Sequence, residues 1–170
     1  RLIDTHTHLD FADFAHARSA VLANCRALGV ERMVLLGVTQ ANWQGLWELV
    51  LSEPGLYAAF GLHPVFLAQH QPAHLHDLRA WLERLAGNPK LCAVGEIGLD
   101  YWLADLDREQ QQQLFEAQLA LAAEFELPAL LHVRRSHAAV IATLKRYRLA
   151  RGGIIHAFAG SMEEAREYLK

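Results

Sequence analysis

Two histidines separated by one residue stand near the start of the chain, where the apolar pair Leu2-Ile3 is followed by Asp4, His6 and His8. Residues i and i+2 of a strand point to the same side, so His6 and His8 can offer two ring nitrogens to one ion. Neutral imidazole together with carboxylate suits zinc, manganese, iron or a related divalent metal. The spacing therefore predicts a metal site at the end of a first strand.

Three more side chains with metal-binding chemistry follow later apolar runs: Glu96, His132 and His156. A carboxylate has two oxygens, so Glu96 could bridge two ions, and His132 and His156 could complete the second site. Two metals roughly 3.5–4 Å apart hold a phosphoryl or carbonyl oxygen, lower the pKa of a bound water and stabilise a leaving group. The predicted chemistry is hydrolysis assisted by two divalent ions, with Mg, Mn and Zn as the candidates.

A parallel sheet is the structure predicted to position these residues. Short apolar runs, typical of strands buried on both faces, alternate with amphipathic helical patterns, which indicates right-handed βαβ units. The strands are predicted at Leu2-Ile3, 32–38, 56–62, 91–97, 128–133 and 153–158. Helices are predicted at 17–28, 72–86 and 107–126, and a capping-box pattern at Ser161 and Glu164 opens a last one.

This α/β pattern is compatible with two architectures, an open doubly wound sheet and a TIM (β/α)8 barrel. A Gly-rich phosphate loop after the first strand would favour the open sheet, but His6 and His8 occupy that position. Because the candidate ligands all follow the carboxyl ends of strands, they would share one rim, where barrel enzymes carry their sites. We therefore expect a single barrel domain over residues 1–170, built from about six βα units.

The composition restricts the class of protein. Of 170 residues, 52% are hydrophobic and 21% are charged, as in a globular protein. The formal net charge of −3 argues against a broad basic face for duplex nucleic acid, but not against a small local anion site. No apolar run approaches the roughly 18 residues of a membrane span. Cys25 and Cys92 are isolated, which predicts free thiols and a cytoplasmic location.

Several further residues of the rim permit two interpretations. His63, before Pro64, either contacts substrate or orders its loop. Arg134 and Arg135 either bind a phosphate or are simply solvated. Tyr101 and Trp102 either stack on a nucleobase or anchor the loop that follows the fourth strand.

The motifs taken together resemble the TatD family of metal-dependent hydrolases and deoxyribonucleases, over nearly the whole chain. The resemblance implies a TIM barrel that uses divalent metal, often magnesium, to hydrolyse DNA, with 3′ exonuclease activity in some members. It implies metal ligands at His6, His8, Glu96, His132 and His156, and substrate contacts at His63 and Arg134. The matching blocks are Leu2–Asp10, Gly61–Pro64, Gly95–Tyr101, Leu127–Arg134 and Ile154–Gly160.

The resemblance also implies a later Glu-Thr-Asp-x-Pro block, whose Asp serves as metal ligand and general base. The sequence stops at Lys170 before that block, and eight units would need on the order of 230 residues, so we expect the last two units to be absent. The leading hypothesis is a deoxyribonuclease acting on DNA ends, with no membrane or protein partner. The alternatives are an amidohydrolase or small phosphoesterase, and an inactive, truncated metal-binding fragment.

Overall fold

The computed structural model describes residues 1–170 and contains a single six-stranded sheet in which every strand is parallel to its neighbours. The strands follow one another in chain order across the sheet, as in a (β/α) barrel, which confirms the predicted fold class. Their bounds are β1 Leu2–Thr7, β2 Val30–Leu36, β3 Leu56–Phe60, β4 Leu91–Asp100, β5 Ala129–Arg134 and β6 Gly153–Ile155.

A helix follows each strand, and local chemistry sets where several of them begin and end. The carboxylate of Asp107 accepts hydrogen bonds from the backbone N–H groups of Glu109 and Gln110 at the start of α4, and Ser161 and Glu164 form the predicted capping box of α6. Gly29 follows α1 with φ 86°, a left-handed conformation that favours glycine. The helices are α1 Arg18–Ala27, α2 Trp43–Ser52, α3 Pro72–Leu85, α4 Arg108–Glu124, α5 His137–Leu144 and α6 Met162–Tyr168.

The core lies between the sheet and these helices and contains 27 buried residues, including Trp43, Phe60 and Phe115. A smaller cluster of four buried residues is formed by Leu36, Ala59, Ala93 and Leu130. Trp43 and Trp47 are buried in the core. None of the helices is both long enough and apolar enough to cross a membrane.

The two outer strands differ from the prediction. Leu2 and Ile3, expected to be buried, are 59% and 60% exposed because β1 pairs only with β2. The sixth strand ends at Ile155 rather than 158, since Ala157 turns the chain with φ 46°. His156 therefore lies in the turn directly after β6, still at the carboxyl edge of the sheet.

Lys90, directly before β4, connects the end of α2 to the start of β3. Its ammonium donates hydrogen bonds to the carbonyl oxygens of Val50, Glu53 and Leu56 at 3.3, 3.2 and 2.9 Å. Replacing Lys90 by methionine keeps the side-chain length but removes these charge-assisted bonds, and we expect a loss of about 1.5–3 kcal/mol in the free energy of unfolding. Urea denaturation measures this. Lys145→Met is the control: its surface ion pair with Glu167 is exposed, so the expected change is below about 1 kcal/mol, and equal losses would contradict the interpretation.

Candidate metal centre

The carboxyl edge of the sheet carries one buried carboxylate surrounded by five imidazoles. Glu96, on β4, is 1% exposed. Its Oε1 lies 3.1, 3.2 and 2.9 Å from ring nitrogens of His63, His132 and His156. Its Oε2 lies 3.2 Å from Nε2 of both His6 and His8. Side chains from β1, β4, β5 and the turns after β3 and β6 therefore converge on one carboxylate, as the parallel sheet predicts.

The bonding around Glu96 fits a cation. Oε2 is buried and makes no hydrogen bond of good geometry, although Nε2 of His6 and of His8 each lie 3.2 Å away. An unpaired buried oxygen of this kind costs free energy unless an ion or a donor satisfies it. Two groups of side chains share Glu96 and have ligand atoms within 4.8 Å of one another, one with His6 and His156 and the other with His63 and His132. Imidazole nitrogens with carboxylate oxygen are a donor set suited to divalent transition metals.

The charges of these groups are coupled. Burial by itself would raise the pKa of Glu96, but the surrounding imidazoles, His132 first, outweigh burial and hold that pKa well below its usual range. Burial lowers the pKa of His132, yet its bonds to Glu96 and Asp100 leave that pKa raised overall. The pKa of His8 is also raised, because the attraction of Glu96 exceeds the effect of burial. The anionic Glu96 thus favours the protonated forms of His8 and His132, and a divalent ion bound there would replace their protons.

His132 has the hydrogen-bonding pattern of a metal ligand. Its Nε2 lies 2.9 Å from Oδ2 of Asp100, a fully buried carboxylate that can only accept. The hydrogen on Nε2 therefore points to Asp100, and Nδ1, which faces Glu96 at 3.2 Å, can exchange its proton for a cation. A carboxylate behind a histidine fixes the ring and increases its basicity, as in carboxylate–histidine–metal triads.

His63 has the opposite pattern. Its Nδ1 accepts a hydrogen bond from the backbone N–H of Val65 at 3.0 Å, so the hydrogen of the neutral ring must lie on Nε2. Burial lowers the pKa of His63 and keeps the ring neutral, although Glu96 opposes the shift. Its Nε2–H therefore points to Glu96 at 3.1 Å and has no lone pair to give to a metal. This geometry makes His63 a hydrogen-bond donor to the site.

Two buried glutamines of α4 hold the segments that carry these residues. Gln118 accepts from the backbone N–H of Leu62 at 2.7 Å and donates to its carbonyl at 3.1 Å. Gln111 makes the same pair of bonds with Asp100, at 2.8 and 3.0 Å. Each side-chain amide thus makes the pair of hydrogen bonds that the backbone of an adjacent strand would otherwise make. The two glutamines thereby fix the backbone at Asp100 and immediately before His63.

Replacing Gln118 by methionine preserves volume but leaves the buried N–H and C=O of Leu62 without partners. We expect a loss of about 2–4 kcal/mol in the free energy of unfolding, measured by thermal or urea denaturation. Gln113→Met on the exposed face of the same helix is the matched control and should change stability by less than about 0.5 kcal/mol. A Gln118 variant as stable as the control would contradict the assigned role.

The basic and aromatic residues predicted for substrate binding separate into two places. Arg134 and Trp102 line a cleft beside His132 and His156. Tyr101 instead packs against the main core cluster, and its ring faces the guanidinium of Arg108 at 4.5 Å. Asp4, which belongs to the same motif as His6, is exposed and accepts from the backbone N–H of His6 at 3.0 Å. Its carboxylate caps the local backbone.

The sequence does not reveal the supporting residues of the site. Asp100 belongs to the block Gly95–Tyr101, and no local pattern marks Gln111. A polar residue within the apolar stripe of a helix, such as Gln118, is a signal that could have indicated a buried hydrogen-bonding role. Nothing in the sequence gives the ring nitrogen through which each histidine acts, since this depends on Val65 and Asp100 in three dimensions.

Known proteins share the sequence of this chain over nearly its whole length. Residues 3–170 match the family model described as "TatD related DNase". An Escherichia coli K12 protein named "Uncharacterized metal-dependent hydrolase YjjV" is 39% identical over 170 residues, covering 100% of this chain and 65% of the relative. A Pantoea vagans protein named "3'-5' ssDNA/RNA exonuclease TatD" is 35% identical over 166 residues, covering 96% of this chain and 62% of the relative.

The crystal structure of YjjV, described as a TatD homologue, superposes on this chain with a TM-score of 0.94 at 39% identity, covering 99% of this chain and 64% of that one. The six strands and their helices thus correspond to part of a TIM-barrel-like fold. The chain spans about 62–65% of the length of these relatives.

Proposed function

The chain belongs to the TatD-related DNase family, and from this membership we propose that it is a divalent-metal-dependent phosphodiesterase that removes nucleotides from the 3′ ends of single-stranded DNA. The observation that carries the proposal is the convergence of five histidines on Glu96. A buried carboxylate with an unpaired oxygen among imidazoles is suited to a cation rather than to acid–base chemistry alone.

Four histidines and Glu96 would hold two divalent ions. The histidines would be His6, His8, His132 and His156. When bound, divalent ions supply Lewis-acid polarisation of a phosphoryl oxygen and lower the pKa of water to give a nucleophile near neutral pH. The ionised Glu96 would provide the negative charge that retains the cations. Asp100 keeps the His132 ring in a fixed orientation.

Two further side chains have roles toward the substrate in this proposal. Arg134 would offer its guanidinium to the phosphate, since it has no carboxylate partner and lies in the cleft beside His132. His63 would hold its Nε2 hydrogen at the centre, 3.1 Å from Glu96, and could transfer this hydrogen bond from Glu96 to a phosphate oxygen once Glu96 holds an ion. Both residues would stabilise the negative charge that develops on the phosphate as the phosphodiester is attacked.

An amidohydrolase or small phosphoesterase could use the same metal centre. The cleft argues against a neutral amide or lactone, because two guanidiniums without carboxylate partners, those of Arg134 and Arg135, stand at its wall. Unpaired guanidiniums beside a metal centre favour an anionic, phosphate-bearing substrate. A preference for a small phosphoester over DNA can be tested by experiment.

The test compares substrates in Mg²⁺ or Mn²⁺. Single-stranded DNA labelled at its 5′ end should yield a ladder of progressively shorter labelled products, as expected for removal of nucleotides from the 3′ end. A small chromogenic phosphodiester should react more slowly, and amide and lactone substrates should not react. Hydrolysis of an amide or lactone in preference to DNA would contradict the proposal.

A further inference from the structure

We propose that Trp102, together with Arg134 and Arg135, forms a nucleotide subsite beside the metal centre, where the indole stacks on a base and the guanidiniums hold the adjoining phosphate. The ligand class is single-stranded nucleic acid, bound without preference for a particular base. The inference rests on the proposed function and adds the residues by which the site would distinguish a nucleotide chain from a small phosphoester.

Trp102 is exposed at the rim of the cleft beside the candidate metal centre. Its side chain is 47% exposed and does not belong to the buried core or to the residues packed against it. Tyr101, the preceding residue, does pack against that core. An exposed indole at the rim of a cleft is therefore available for a ligand, and stacking on a base is the interaction that an aromatic face offers to single-stranded nucleic acid.

Two arginines adjoin this indole. The guanidinium carbons of Arg135 and Arg134 lie 3.9 and 4.8 Å from the centre of the Trp102 ring. Neither arginine forms a salt bridge or a side-chain hydrogen bond. The same is true of Arg84, whose guanidinium lies 3.9 Å from the Trp81 ring, so the distinguishing feature of Arg134 and Arg135 is their position in the cleft beside His132. Stacking on an aromatic ring leaves the N–H groups of a guanidinium free to bind a phosphate. The three side chains thus combine an aromatic surface with unpaired positive charge.

The subsite is joined rigidly to the metal centre through Asp100. One carboxylate oxygen of Asp100 accepts from the backbone N–H of Trp102 at 2.9 Å, and the other lies 2.9 Å from Nε2 of His132. The backbone N–H of Tyr101 also donates to the carbonyl of Arg134 at 2.8 Å. The same short network therefore sets the positions of the indole, the arginines and the candidate metal ligand.

The cleft has room for such a ligand. It has a volume of about 460 Å³ and is lined by side chains of both the metal centre and the subsite, namely Trp102, Arg134, Arg135, His132 and His156. A nucleotide chain bound in this cleft would therefore lie against both the metal centre and Trp102. The overall charge of −3 is compatible with this arrangement, because the positive charge is local.

The experiment measures binding without catalysis. Fluorescence anisotropy in EDTA compares a labelled oligothymidine with an oligonucleotide of equal length whose 3′-terminal residues lack bases. We expect the wild-type protein to bind the base-bearing strand about 5- to 100-fold more tightly. Trp102→Ala should abolish this preference and Trp102→Phe should retain most of it. Arg135→Ala should weaken the binding of both oligonucleotides and reduce the salt dependence of binding.

Leu103→Ala, next to Trp102 and 37% exposed, is the control and should keep the preference for bases. Equal affinity of the wild-type protein for the two strands would overturn the subsite, as would a preference that survives Trp102→Ala. This outcome is separate from the proposed nuclease activity. Base-dependent binding without DNA hydrolysis would contradict the activity alone, and DNA hydrolysis without base-dependent binding would contradict the subsite alone.

Discussion

Replacing Glu96 by glutamine is expected to abolish divalent-metal binding and to slow phosphodiester hydrolysis by at least about 1,000-fold. Glu96 is the one group that all five histidines contact, and its ionised carboxylate supplies the negative charge at the centre. Glutamine has nearly the same shape but no charge. The variant should therefore keep the fold while losing the cation.

Thermal unfolding with added Mn²⁺ reads this effect directly. A metal at 100 times its dissociation constant stabilises the wild-type protein by about 2.7 kcal/mol, and EDTA should remove that gain. The Glu96→Gln variant should show no metal-dependent shift in Tm. Glu124→Gln, in an exposed ion pair with Arg79, is the matched control and should respond to Mn²⁺ as the wild type does. A normal shift in the Glu96 variant would exclude Glu96 as a metal ligand.

Two histidines at similar distances from Glu96 should give opposite results when each is replaced by glutamine. His132→Gln should weaken metal affinity by at least about 100-fold, because its Nδ1 is the nitrogen free to bind a cation. His63→Gln should change metal affinity by less than about 3-fold, because the bond from Val65 fixes the hydrogen on the nitrogen that faces the site. His63→Gln should nevertheless slow hydrolysis by about 10- to 1,000-fold, because the flexible amide does not hold its N–H in the position that the bond from Val65 gives the imidazole.

Isothermal titration with Mn²⁺ separates the two variants, and steady-state kinetics on labelled DNA completes the comparison. Equal losses of metal affinity would show that His63 is a ligand and that the hydrogen position inferred from Val65 is wrong. Unchanged metal affinity in His132→Gln would show that His132, held by Asp100, is not a metal ligand.

The sequence was enough to predict the parallel sheet and the edge on which the site lies. Apolar runs alternate with helical patterns, and the polar residues that end those runs must meet at the carboxyl edge, so His6, Glu96 and His132 could be placed together. It was not enough to predict the exposure of Leu2 and Ile3, because an apolar run looks the same in an edge strand and in a central one.

The supporting structure of the site depends on contacts between residues far apart in the chain. Gln118 bonds to Leu62 across 56 residues, and Asp100 lies against His132 across 32. No local pattern records these pairings. The sequence also does not decide whether Tyr101 and Trp102 stack on a nucleobase or anchor their loop. In the structure Tyr101 packs against the core and Trp102 does not.

Metal-dependent DNA hydrolysis at this centre is tested most directly by the time course of nucleotide release from 5′-end-labelled single-stranded DNA in Mg²⁺ or Mn²⁺, for the wild-type protein and for His132→Ala. We expect successive shortening from the 3′ end by the wild type, none in EDTA, and little or none by the variant. Nucleotide release that survives the loss of His132, or that continues in EDTA, would contradict the assignment of DNA hydrolysis to this metal centre.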